Sequence, residues 1–98
     1  MEQMRFFIDT HDKKNGTFPD SSTPKELGEF YKSYEKACNE EGVVSLKIHA
    51  GFEDGKAFCL NMAKNKDAVR KVHKKVGLPF DEITEVNTIS PSDLLLMM

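Results

Sequence analysis

Residues 43–76 read VVSLKIHAGFEDGKAFCLNMAKNKDAVRKVHKKV, and this stretch decides the fold. It opens with two alternating runs, Val43 to Phe52 and Lys56 to Ala63, on either side of Glu53-Asp54-Gly55. Period-two alternation around an Asp-Gly turn predicts a β-hairpin. Asn65 then offers a helix cap, Asp67 complements the first-turn dipole, and Ala68, Val69, Val72 and Val76 form one apolar stripe. Gly77-Leu78-Pro79 is a helix stop.

Turn length decides which hairpin residues share a face. A two-residue turn sets Leu60 opposite His49 and mixes apolar with polar. A three-residue loop with Gly55 left-handed sets Ile48 opposite Leu60 and Leu46 opposite Met62. That second register is the expectation. It places Val44, Leu46, Ile48, Phe58, Leu60 and Met62 on a buried face, with Lys47, His49, Cys59 and Asn61 behind them.

Outward from the hairpin, Met4 to His11 reads as a first strand, and Thr10 to Ser22, with Asn15-Gly16 and Pro19, as a long loop. Thr23-Pro24-Lys25-Glu26 is a capping box with proline at the first helical position. Leu27, Phe30, Tyr31, Tyr34, Ala37 and Cys38 follow at helical spacing, and Gly42 is the stop. Glu82 to Ile89 is a last strand, and the apolar tail Leu94 to Met98 is a further helical turn.

The order β-α-β-β-α-β predicts an α+β, ferredoxin-like domain over residues 1–98. Its antiparallel sheet has the order 4-1-3-2, with both helices on one face. Phe7, Asp9, Lys47, His49, Cys59 and Asn61 are then expected on the uncovered face. That mixed surface and the apolar tail together predict a homodimer, which the topology would close into a dimeric α+β barrel.

The bulk properties exclude several classes. A charge of −2 and a pI near 5.9 provide no field for nucleic acid or an anionic membrane. RNA binding through the uncovered face is also disfavoured, because only Phe7 is expected to present an aromatic ring there. The start MEQMRFFID has no signal-peptide pattern, and the longest apolar run is five residues, Leu94 to Met98. Cys38 and Cys59 form no paired motif and read as reduced thiols, so the expected compartment is the cytoplasm.

Among residues that carry chemistry, the three histidines are the most informative. Strands one and two and the second helix run the same way, so His11, His49 and His73 converge on one end of the domain. Neutral imidazole is the commonest ligand of borderline ions such as nickel and zinc. Cys59 beside His49 adds a thiolate, and Asp9 or Asp12 a carboxylate. Against this stands the absence of any HxxxH, HxH or CxxC spacing that would fix ligand geometry locally. A buried Cys59 and a boundary His73 also have ordinary packing explanations.

The stretch DGKAFCLNMAKNKDAVRKVHKKVGLPFDEITEV, Asp54 to Val86, resembles a family of small bacterial nickel-binding proteins once catalogued only as a domain of unknown function. A histidine closing the first strand, as His11 does, fits the same pattern, whereas the Asp12 to Ser22 loop is longer than the family form. The resemblance implies a ferredoxin-like dimer with facing sheets and nickel, or another divalent transition metal, as cofactor.

The leading expectation is therefore a transition-metal-binding homodimer without catalytic residues, its metal ligands drawn from His11, His49, His73, Cys59 and Asp9. Two alternatives stand beside it. One is a small dimeric barrel enzyme, of isomerase or oxygenase type, with an apolar or aromatic small-molecule ligand. The other is a structural or regulatory dimerisation domain.

Overall fold

The computed structural model describes residues 3–18, 23–87 and 89–96. The elements are β1 (Arg5–Asp12), a single 3-10 turn (Lys13–Asn15), α1 (Pro24–Glu41), β2 (Val44–Gly51), β3 (Lys56–Ala63), α2 (Lys66–Val76), β4 (Glu82–Val86) and α3 (Pro91–Leu96). Thr23 caps α1 by accepting from the Glu26 amide, and Asn65 caps α2 by accepting from that of Ala68. Gly42 and Gly77 end the two helices in the left-handed conformation, the second in a Schellman arrangement with the Leu78 amide on the His73 carbonyl. Ser90 and Asp93 box the start of α3, each side chain accepting from the other's amide. Part of the expected loop lies outside the described residues. Of the rest, Thr17 and Phe18 are buried rather than solvated.

The sheet order is β2-β3-β1-β4 with every pairing antiparallel, the order read from the sequence. On β1 and β3, however, the faces are the reverse of the expected ones, while Ile48, Lys47 and His49 of β2 keep theirs. β2 and β3 are joined by four residues, Phe52–Gly55, closed by the Gly55 amide on the Gly51 carbonyl. One residue more than expected pairs Ile48 with Cys59 and His49 with Phe58. A bulge between Ser45 and Lys47 then restores Val44 opposite Met62. Gly55 does adopt the left-handed conformation, and a Cβ there would lie 2.7 Å from that of Lys13, so the turn admits glycine alone.

As a result Phe7, Asp9 and His11 of β1 and Ala57, Cys59, Asn61 and Ala63 of β3 face the helices, all of them buried. There Phe7, Ala63 and Ile83 join Tyr34, Ala37 and Cys38 of α1 and Val69 and Val72 of α2 in the core. Of the six apolar residues expected in the core, only Ile48 points to the helix side, in register with Cys59. Phe58 and Val44 are exposed, at 47% and 43%, and Leu60 and Met62 are half-buried beside Ile8 and Phe6. The physical reason is space. Tyr34 and the α2 valines take up much of the interlayer volume, so most of the strand residues beneath the helices, Phe7 apart, are small or hydrogen-bonded. The ground for excluding RNA from this face also falls, since Phe6 and Phe58 are on it and Phe7 is not; the charge argument is unaffected.

Candidate metal centre

Strand geometry starts the site. Asp9 and His11 are two residues apart on β1, so both side chains project toward the helices. One full turn before the end of α2, His73 projects from the apolar stripe onto the same spot. Asp9, His11 and His73 are 0%, 4% and 1% exposed, which makes them a charged cluster inside the core. His11 and His73 Nε2 both point at Asp9 Oδ2, at 2.7 and 2.9 Å. The two rings stack with centroids 5.6 Å apart, and Tyr34 and Phe80 pack edge-on against His73.

The remaining polar atoms are committed as well. His11 Nδ1 donates to the Pro79 carbonyl at 2.8 Å and to that of Thr17 at 3.1 Å. His73 Nδ1 donates to the Val69 carbonyl, one turn back in α2, at 2.8 Å. Asp9 Oδ1 accepts from Asn61 Nδ2 at 2.6 Å, and Asn61 Oδ1 accepts from the Tyr34 hydroxyl at 3.4 Å. Among the described residues no buried side-chain nitrogen or oxygen lacks a partner.

These bonds determine where the protons are. A backbone carbonyl can only accept, so both Nδ1 atoms carry hydrogen. In a neutral imidazole the Nε2 atom is then a bare lone pair. Two such lone pairs facing one carboxylate oxygen repel, and a single carboxylic proton could relieve only one of them. A positive species, either protons on the imidazoles or a metal ion, has to lie between. The electrostatics agree. Burial opposes the charged form of Asp9, but the hydrogen bonds and charges of His11 and His73 outweigh it and hold the carboxyl below its ordinary value of 3.8. Burial likewise pulls His11 down, and the hydrogen bond and charge of Asp9, with the Pro79 and Thr17 carbonyls, raise it above 6.5.

The same arrangement suits a divalent ion. One carboxylate oxygen and two imidazole nitrogens lie within 4.8 Å of one another. Each histidine already donates its other N–H to a backbone carbonyl, the outer-shell contact that orients metal-bound imidazole. Tetrahedral donors stand about 3.4 Å apart at ordinary zinc-type bond lengths, so the two short contacts need open by only about 0.5 to 0.7 Å.

Residues 7–86 match the family model described as nickel responsive protein SCO4226-like. This chain belongs to that family. The crystal structure of SCO4226 from Streptomyces coelicolor A3(2) superposes on the chain with a TM-score of 0.74 at 26% identity, covering 87% of this chain and 99% of that one. No curated protein sequence matches the chain significantly.

Three of the five residues expected as ligands, Asp9, His11 and His73, are thus brought together. His49 is not among them. It lies exposed on the uncovered face opposite Phe58, because the hairpin register turns its side chain through the sheet from Asp9. Cys59 is on the right face and pairs with Asp9 across β1 and β3, yet it falls outside the cluster. Burial and the nearby Asp9 charge push its thiol far up, which leaves it a small buried side chain rather than a thiolate. Cys38 is raised to about 11 by burial. Sequence reading missed Asn61 and Tyr34, which brace Asp9. It also passed over the spacing Asp9-Thr10-His11, which on any strand sets a carboxylate and an imidazole side by side.

Proposed function

We propose that this SCO4226-like chain is a homodimeric binder of nickel or a similar divalent transition ion, held by Asp9, His11 and His73. The observation that carries the reading is the convergence of two Nε2 lone pairs on one buried carboxylate oxygen, with both Nδ1–H groups engaged elsewhere. The carboxylate offsets half of a divalent charge and the two neutral imidazoles donate lone pairs, a donor set that matches the borderline preference of nickel and zinc. Bound there, the ion would tie β1 to α2. A nickel responsive family supports nickel over its neighbours. Nickel titration into chelator-treated protein tests this: saturable binding well below millimolar supports the site, and its absence removes it.

The dimer rests on the uncovered sheet face. Phe6 and Ile8 of β1, Phe58, Leu60 and Met62 of β3 and Val44 of β2 form a continuous apolar surface there by register. An apolar surface of this kind on an uncovered face is best explained by burial against a second copy, giving a ferredoxin-like pair with sheets facing. Light scattering after size exclusion should give twice the chain mass for wild type and the single-chain mass for Leu60→Asp. A monomeric wild type at micromolar concentration would remove the dimer without touching the metal site. Among the described residues no helix is long and apolar enough to cross a membrane.

A further inference from the structure

A cavity of about 90 Å³ lies between α1 and the sheet, with His11 in its wall and mostly apolar surface around it. Its walls come from separate elements: His11 at the end of β1, Phe18 after it, Phe30 and Tyr31 of α1, Ile48 of β2 and Cys59 of β3. Among the described residues no aspartate, glutamate, lysine or arginine lines it. His11 gives it no free hydrogen-bonding atom, because its Nδ1 is on the Pro79 and Thr17 carbonyls and its Nε2 is on Asp9. The imidazole therefore presents carbon surface to the cavity, like the aromatic rings around it.

We infer that this cavity is a binding site for a small uncharged molecule with a branched aliphatic or single-ring end, separate from the metal ligands but sharing His11 as a wall. Holes in an apolar core destabilise in proportion to their volume, so a fold gains from having one filled. Ala57 is a small buried side chain in the cavity wall, so a larger one there would take up part of the space. Size sets the class of ligand. An apolar cavity of about 150 Å³ takes up benzene whole. The smaller enclosed volume here takes a chain end or most of one ring, with the rest of the molecule in the mouth. Charge sets it too. A carboxylate would meet no cationic side chain and would lie near the Asp9 carboxylate behind His11, while an ammonium would find no carboxylate in the wall.

The inference rests on the cavity and not on the metal reading, so its test is run with chelator present throughout. Benzyl alcohol is titrated calorimetrically into the full chain, with phenylacetate as its anionic counterpart. Saturable binding of benzyl alcohol is expected, with phenylacetate weaker by about tenfold or more. Ala57→Leu should lower benzyl alcohol affinity by about tenfold. Ile48→Phe narrows the same cavity from β2 and serves if Ala57→Leu fails to fold. Lys71→Ala, on the exposed side of α2 and away from both the cavity and the sheet, should leave binding unchanged. No saturable binding up to millimolar concentration, equal affinity in wild type and the filled variants, equal affinity for phenylacetate, or loss in Lys71→Ala would each overturn it.

Discussion

Replacing Asp9 by asparagine is expected to lower nickel affinity by about a hundredfold or more while the chain stays folded. Altering a residue that merely orients a ligand costs metal sites about 10–100-fold, and Asp9 is itself a proposed ligand. The substitution isolates chemistry from shape. Asparagine keeps the volume, and its carbonyl can still accept from Asn61 where Asp9 Oδ1 does now, at 2.6 Å. Its amide nitrogen then takes the place of Oδ2 and carries two hydrogens, one for each neutral Nε2. The variant thus meets without an ion the need that the carboxylate meets only with protons or metal. Titration calorimetry reads the affinity and circular dichroism confirms folding. Nickel affinity within about threefold of wild type in a folded variant would show that the ion is bound elsewhere.

The second large effect is a pH dependence of stability that reverses its slope when nickel is added. His11 titrates above 6.5 in the folded chain, despite burial, because Asp9 and the two carbonyls hold its proton. A folded state that keeps a proton the unfolded chain releases is stabilised below the unfolded value. That stabilisation is lost as pH rises through the folded value. Asp9 behaves in the opposite sense. Its pKa is lowered, so its contribution is present above 3.8 and lost as pH falls through the folded value. Chelated protein should therefore be most stable between these limits and lose stability from about pH 6.5 upward. The slope is bounded at about 1.4 kcal/mol per pH unit for each proton retained. For a chain of this length each kcal/mol is worth about 4–8 °C in melting temperature.

Saturating nickel replaces the protons, so its stabilisation grows with pH as the imidazoles are freed. Thermal melts from pH 5 to 9, with chelator and with nickel, give both curves. A chelated melting temperature that stays level across the alkaline range would show that His11 holds no extra proton. Asp9→Asn should flatten both curves, since neutral histidines suit it.

Legibility differed between the backbone and the faces. Helix starts at Thr23 and Asn65, stops at Gly42 and Gly77, and the strand order were all readable, because caps, left-handed glycines and crossover handedness act over a few residues. Whether the Asp-Gly hairpin uses three residues or four was not. That one residue moves the β3 side chains through the sheet relative to Lys47 to Gly51 of β2, as far as the bulge, and the pattern of apolar residues favoured the other choice. Apolar pattern selects the register only where the more apolar face lies beneath the helices. Here Phe58, Leu60 and Met62 are on the uncovered side, and Asp9, Asn61 and His11 are in the core.

The sequence by itself determined the elements, their order and the candidacy of Asp9, His11 and His73, since these follow from local propensity and residue chemistry. Only the tertiary structure decided that those three meet, that His49 is excluded and that Asn61 braces the carboxylate. Contacts between residues 64 positions apart, such as Asp9 with His73, depend on how α2 lies across the sheet, and no local pattern encodes that crossing.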